Sequence, residues 1–197
     1  MFQKLAKWSS EQSVNKLLIL TMLALLFHSA ASILLNKSYA ESQFPVPYHV
    51  AQLSFNPERI RYWYAYLINL GTMDLYLKTQ HIDFLFIASV LALHPLALLL
   101  IGKLFASRSI WQNLMVSAAG LSIIAPLADA LENLVTYVML AQPATFSDWL
   151  AYLYSSLAAI KFAMFTFAYI AAALGVALGS ILLIHVKYLR SRKSHQI

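Results

Sequence analysis

The chain has 197 residues, of which 60% are hydrophobic and 11% are charged, with a mean hydropathy of +0.66. Soluble domains carry about 45–50% apolar and about 25% charged residues, so this composition excludes an ordinary soluble domain and indicates a membrane protein. Cysteine is absent, which excludes disulfides, thiol catalysis and cysteine metal sites. The net charge of +6 comes mostly from residues that flank apolar segments, and therefore indicates membrane orientation rather than a nucleic-acid partner.

Four apolar runs are long enough to cross a bilayer, for which a helix needs about 20 mostly apolar residues. The runs do not alternate in polarity as barrel strands do. The predicted fold class is therefore all-α, a polytopic four-transmembrane-helix bundle that forms a single membrane domain over residues 1-197. The predicted spans are residues 17–35, 84–101, 114–141 and 157–186. The first run is longer than the roughly 7–15 apolar residues of a signal peptide, so we expect it to remain as a helix.

A long loop, residues 36–82, follows the first span. Within it, Asn56-Pro57-Glu58 is typical of a helix start, because Asn caps the free N–H groups, Pro suits the first turn and Glu complements the helix dipole. Gly71 is a typical helix stop. The segment between them is rich in aromatic residues, which favour the membrane–water interface. We predict a helix over 57–70 that lies on the outer face of the membrane, either as an anchor or as a lid over the bundle.

The distribution of Lys and Arg predicts the orientation of the chain. Nine basic residues lie in the two termini and in the link between spans two and three: Lys4, Lys7, Lys16, Lys103, Arg108, Lys187, Arg190, Arg192 and Lys193. In the other two loops, four basic residues are offset by four acidic ones. The positive-inside rule therefore places both termini in the cytoplasm. The predicted location is the inner, or plasma, membrane.

Ionisable side chains inside the spans are the most informative residues, because each costs about 2.5–3.5 kcal/mol on insertion scales and usually faces the bundle interior. Asp129, Glu132 and Asn133 share one helix face in the third span. From the helical rise, Glu132 is expected about 10 Å below the outer surface and Lys161 roughly 6 Å below it. His28 is expected at the depth of Glu132, with His94 near the midplane. The predicted polar network comprises His28, Asp83, His94, Asp129, Glu132, Asn133 and Lys161.

Charge compensation predicts how this network is paired. Lys161 is expected to pair with Glu132 or Asp129, since an isolated buried charge is costly. The remaining carboxylate is expected to be protonated, shared, or hydrogen-bonded to a histidine or to Asn133. Asp83 is expected at the outer entrance of the second span, and Pro126 is expected to loosen the backbone of the third. The spacing of Ala171, Gly175 and Gly179 predicts a close-packing helix face.

The pattern of Gly71, Tyr76 and Asp83, then Asp129-x-x-Glu132-Asn133, then Lys161 resembles a family of small bacterial four-helix inner-membrane proteins. The resemblance covers most of residues 15–186. The family has a Gly-Arg pair before Tyr76, where this chain has Met73-Asp74. The resemblance implies that the acidic residues, Asn133 and Lys161 form one unit, and it implies no activity.

Several function classes remain open at this stage. The first is a binding or accessory membrane protein that holds a small molecule or lipid headgroup in an outer-facing polar pocket, or that joins a homo-oligomer or larger membrane complex. The second is an intramembrane lipid-modifying enzyme in which Glu132 or Asp129 is the base and His28 or His94 assists. The third is a proton-coupled transporter, for which carboxylate–histidine chains are suited. Whether the chain is an enzyme is not determined.

No metal or cofactor is assigned. Familiar metal or nucleophile motifs are absent from the sequence. Haem between His28 and His94 is disfavoured because their estimated depths differ by about 6 Å. Zinc held by His28, Asp83, Glu132 and His94 has acceptable ligand types but lacks a supporting spacing motif.

Overall fold

The computed structural model describes the backbone of residues 2–194 and the side chains of residues 3–185. The described chain is all-helical, which confirms the predicted fold class. Its helices, in chain order, are α1 Phe2–Glu11, α2 Val14–Glu41, α3 Tyr48–Gln52, α4 Pro57–Leu70, α5 Met73–Gly102, α6 Ile110–Leu121, α7 Ile124–Ala141 and α8 Asp148–Ser194. The side chains of Lys187, Arg190, Arg192 and Lys193, which contribute to the predicted charge bias, lie outside the described residues.

Four helical segments are long and apolar enough to span a membrane: α2, α5, α6 together with α7, and α8. They match the four predicted spans, but α2, α5 and α8 begin or end well beyond the apolar runs. The largest difference is at α5, which begins at Met73 rather than at residue 84. The first turns of α5 contain polar residues, so hydropathy alone does not identify Met73 as the start of the helix. Asp83 therefore lies in the third turn of α5 and not at its entrance.

Local sequence signals define the helix starts and stops. Ser13 and Ser109 accept backbone N–H bonds at the starts of α2 and α6. Asn56 caps α4 by accepting the N–H of Arg59, and Gly71 ends α4 in the left-handed conformation with φ of 70°. Gly adopts that conformation without a Cβ clash. The predicted helix over 57–70 is confirmed with these bounds, and its position at the membrane surface stays a prediction.

The third span is broken between α6 and α7, at residues 122–123. Pro126 explains the break, because it has no N–H to donate to the carbonyl of Ser122 and its ring displaces that turn. At the break, the Ser122 hydroxyl donates to the carbonyl of Ala119, at 2.8 Å. The expected effect of Pro126 on the backbone is therefore confirmed, and it divides the span into two helices.

The bundle is organised around α5. The first span, α2, packs along α5, and buried hydroxyls join them where Ser38 and Thr79 lie 2.7 Å apart. The last span, α8, packs on α7 and on α5. Over the described residues, α2 and α8 have no extended contact with each other. One side of α5 is therefore left between α2 and α8 without a covering helix.

The two ends of the bundle differ in structure. At one end, the Lys103 ammonium after α5 donates to the carbonyl of Ser9 in α1, at 2.6 Å. At the other end, α3 and α4 cover the bundle, and the Arg61 guanidinium donates to the carbonyl of Phe146 at 2.7 Å and pairs with Asp148. We call these the α1 end and the α4 end. The N-terminal segment and the α5–α6 link therefore share one end, as four alternating spans require.

Small residues let α8 approach the α1 end of the bundle closely. A Cβ added at Gly175 would lie 2.7 Å from atoms of Ile101 and Met115, and one added at Gly179 would lie 2.7 Å from Leu104. These distances leave no room for a larger residue without movement of the neighbours. The predicted close-packing face is therefore confirmed at both glycines.

Candidate functional site

A buried ion cluster lies between α7 and α8. The Lys161 ammonium donates to Oδ1 of Asp129 at 2.9 Å and lies 2.5 Å from Oε2 of Glu132. The three residues are each at most 3% exposed. The predicted pairing of Lys161 is confirmed, and it involves both carboxylates rather than one. The two contacts place one positive charge between two acidic groups.

A third carboxylate joins the cluster from α5. The Asn133 amide donates through Nδ2 to Oδ2 of Asp83 at 2.9 Å, and both residues are buried. Glu132 Oε1 is fully buried and has no hydrogen-bond partner among the described residues. The cluster therefore contains three acidic groups and one amino group, so ionisation of all four groups leaves an excess of two negative charges.

The geometry of three helices explains why these residues meet. On α7, Asp129, Glu132 and Asn133 follow the spacing that places side chains on one face. That face turns toward α5 and α8, and the opposite face exposes Leu127, Leu131 and Leu134. Because α8 packs on α7 and α7 on α5, Lys161 and Asp83 reach the same face from two sides. Five of the seven predicted network residues are thus brought together.

A cavity of about 460 Å³ adjoins the ion cluster. Three cluster residues, Asp83, Asp129 and Lys161, form part of its wall, whereas Glu132 does not line the cavity. Its volume falls in the usual range for small-molecule sites, about 300–1,000 Å³. The remaining wall residues come from α2, α3, α5 and α8: Ser32, Leu35, Asn36, Tyr48, His49, Gln52, Phe86, Phe162, Phe165, Thr166 and Tyr169.

Sequence reasoning missed the contribution of α3 to this wall. Tyr48, His49 and Gln52 reach the cavity from α3, a short helix within the predicted long loop over residues 36–82. The burial of Tyr48, together with the negative charge of Asp83, raises the pKa of its phenol well above the ordinary value. Tyr48 is therefore a neutral hydroxyl at physiological pH. The Pro47 before α3, a residue suited to helix starts, was the available signal.

The helix α4 covers the ion cluster without lining the cavity. Four aromatic residues of α4 were expected at the interface, but Trp63 and Tyr64 are buried. The Tyr64 ring packs between Tyr76 and Phe146, with centroid distances of 6.0 and 6.1 Å. Burial raises the pKa of Tyr64, and the nearby Glu132 carboxylate raises it further. The element over the cavity is therefore α3, and α4 belongs to the aromatic core beside it.

The two histidines do not join the carboxylates, which corrects the predicted network. His28 Nδ1 lies 3.0 Å from the Ser89 hydroxyl. His94 packs against the rings of Phe165 and Tyr169, and its Nδ1 has no hydrogen-bond partner among the described residues. The depth estimate for His28 was wrong because α2 continues to Glu41, and the level of Ser89 is about 9 Å along α5 from Asp83.

His28 and His94 instead line a second groove, of about 400 Å³, on the uncovered side of α5. It is otherwise mostly apolar and lies between α2 and α8. Tyr169 belongs to both the cavity and the groove. The two spaces therefore adjoin one another along α5.

The zinc alternative is not supported by this arrangement. Among the described residues, no three His, Asp or Glu side chains are grouped so that they could hold a metal ion. Lys161 occupies the position between Asp129 and Glu132 where a cation would otherwise bridge them.

Comparisons with known proteins provide no relative, so the interpretation of this site depends on its geometry. No protein-family model matches the chain, and neither a curated protein nor a solved structure matches it.

Proposed function

We propose that this chain is an integral inner-membrane protein that binds a small molecule or a lipid headgroup in the cavity beside the ion cluster. The observation that carries the proposal is a cavity of about 460 Å³ with Asp83, Asp129 and Lys161 on its wall. Ionisable residues inside a membrane bundle are costly and usually mark a functional site. The family resemblance, which groups the same acidic residues with Lys161, is consistent with the proposal.

A lateral entry route supports a ligand that comes from the membrane. The cavity wall includes Asn36 on α2 and Thr166 on α8, and these two helices lack an extended contact over the described residues. A molecule dissolved in the bilayer can reach the gap between them without crossing the aromatic core under α4. Access from the bilayer favours an amphiphile over a fully polar solute.

The enzyme and transporter alternatives use the same residues with less geometric support. Both hypotheses rely on a histidine next to a carboxylate, as general acid–base catalysis and proton relays do. In the described structure His28 and His94 contact Ser89 and aromatic rings instead. Binding requires no such pair, and it is therefore the function that the geometry supports best.

The proposed orientation has both termini in the cytoplasm and the α4 end outside. The charge bias carries this proposal, and the shared end of α1 and Lys103 agrees with it. A reporter fused after Ile197 should be active only if it is of a kind that works in the cytoplasm. Matched fusions at Gln142, in the α7–α8 link, should show the reverse activity. Periplasmic activity of the fusion after Ile197 would contradict the orientation.

The binding proposal predicts a ligand that co-purifies. Mass spectrometry of protein purified in a mild detergent should detect about one bound molecule per chain. Thr166→Trp should abolish this signal, because an indole at Thr166 occupies part of the cavity without altering a charged residue. Thr145→Trp makes the same substitution at an exposed site outside the cavity and should retain the ligand. Equal ligand content in both variants, or none in the unmodified protein, would contradict the proposal.

A further inference from the structure

The charge balance around the cavity disfavours an anionic ligand. Lys161 is the only amino group of the ion cluster, and Asp129 and Glu132 already contact its Nζ. The acidic groups on the cavity wall are Asp83 and Asp129. A phosphate or carboxylate would therefore meet two acidic side chains and an ammonium that is already neutralised. Like charges in an apolar environment repel strongly.

A cationic ligand is attracted by the same acidic side chains that repel an anion. Asp83 accepts from Asn133 through Oδ2, and the Asp83 side chain also forms part of the cavity wall beside Asp129. An ammonium group beside Asp83 and Asp129 offsets one negative charge of the cluster. It also reduces the cost of keeping several ionised carboxylates in a low-dielectric bundle. The only other basic group on the wall, His49, is on the exposed side of α3.

Five Phe and Tyr residues on the cavity wall also favour a cation. Tyr48 and Phe86 line the cavity, as do Phe162, Phe165 and Tyr169 on α8. The face of an aromatic ring attracts a cation within about 6 Å, and the attraction is strongest where water is excluded. Phe162 already shows this geometry, with the Lys161 ammonium 5.0 Å from its ring centroid.

The adjoining groove provides space for an apolar ligand body. It begins at Tyr169 and continues along α5 past His94, which is 7% exposed and has an unpartnered Nδ1 among the described residues. Because membrane hydrocarbon is as apolar as the groove, transfer into the groove contributes little free energy. The charged end of the ligand must then provide most of the selectivity.

We propose that the ligand is an amphiphile whose polar end carries an ammonium group. Its ammonium group lies beside Asp83 and Asp129, and its apolar body follows the groove between α2 and α8. This inference rests on the proposed binding function and specifies the ligand class. The same chemistry is found in an amine-bearing lipid headgroup and in a free long-chain amine.

Matched probes test this inference. Dodecyltrimethylammonium and dodecyl phosphate share one alkyl chain and differ in the sign of their charge. In neutral maltoside micelles, dodecyltrimethylammonium should raise the thermal unfolding midpoint of the protein, because a ligand that binds only the folded state stabilises it. Dodecyl phosphate should not raise it.

Asp83→Asn is the decisive variant, because the introduced amide keeps an oxygen that can accept from Asn133 and loses the charge. It should require about tenfold or more dodecyltrimethylammonium for the same shift, as expected for the loss of one charged contact. Asp74→Asn makes the same change at an exposed position of α5 and should behave like the unmodified protein. An equal response of Asp83→Asn and Asp74→Asn would overturn the inference.

The remaining outcomes separate the ligand class from the binding function. If a molecule without an ammonium group co-purifies, is lost in Thr166→Trp, and the cationic probe has no effect, the binding function stands and the cation inference fails. If no probe shifts the midpoint and no molecule co-purifies, both fail. With a positive probe result, enrichment of phosphatidylethanolamine in the purified protein identifies a lipid headgroup as the source. Co-purification of an alkyl amine that has no phosphate identifies a free amphiphilic amine as the source.

Discussion

Replacement of Lys161 by Met should lower the free energy of unfolding by about 3–5 kcal/mol, the usual cost of removing one partner of a buried ion pair. Lys161 contacts both Asp129 and Glu132 and is almost fully buried. Met has a similar length and fills the same space, so the loss comes from charge rather than from a void. The measurement is reversible unfolding in mixed micelles of a mild detergent and dodecyl sulfate.

A second substitution tests the interaction between Lys161 and Glu132 separately. Lys161→Met combined with Glu132→Gln should recover part of the lost stability, because one of the two unpaired carboxylates is then neutral. Lys37→Met provides the matched control, since Lys37 pairs with Glu41 at an exposed site and such pairs contribute about 0–1 kcal/mol. Additive losses from Lys161→Met and Glu132→Gln would show that the two side chains are not coupled. Asp129→Asn then requires the same comparison.

The same double variant distinguishes a structural network from a functional one. If the ion cluster only stabilises the bundle, the double variant purified in a mild detergent should retain the co-purified ligand. If the cluster supports the cavity, the double variant should fold and lose the ligand. A folded double variant with unchanged ligand content would show that ligand binding does not depend on Lys161 or Glu132.

Replacement of Tyr64 by Ala should lower the free energy of unfolding by about 3–5 kcal/mol, the range for removing a large aromatic side chain from a core. Tyr64 is 1% exposed and belongs to a hydrophobic core cluster that also contains Trp63, Tyr76, Phe146 and Tyr154. It contacts Tyr76 on α5 and Phe146 before α8. Its loss leaves a cavity beneath α4 and separates two segments that lie beside the ion cluster. The same micelle unfolding experiment measures the change.

Two matched variants test the reason for this effect. Tyr64→Phe keeps the ring and should cost much less than Tyr64→Ala. Tyr62→Ala removes the same side chain from the exposed face of α4, where Tyr62 is 68% exposed, and surface changes are usually within about 0.5 kcal/mol. An equal cost for Tyr62→Ala and Tyr64→Ala would mean that α4 acts as an interfacial anchor on both faces and not as part of the core.

Local signals in the sequence determined much of the architecture. Four apolar runs require four spanning helices, because a backbone in hydrocarbon must satisfy its own hydrogen bonds. The helix α4 was predictable to the residue, since Asn56, Pro57 and Gly71 act within a turn of the positions they define. The pairing of Lys161 was also predictable, because a lone charge in this environment is too costly to remain unpaired.

Tertiary structure alone decided which polar residues meet. Two contacts between helices, Asp83 with Asn133 and His28 with Ser89, depend on where each helix begins or ends and how it is rotated against its neighbour. Hydropathy placed the start of α5 too late, which moved Asp83 to the surface, and it placed the end of α2 too early, which gave His28 the wrong depth. The cavity wall from α3 and the uncovered side of α5 depend on packing between segments far apart in the chain. No local pattern encodes these contacts, because each residue has an equally acceptable local structure without its partner.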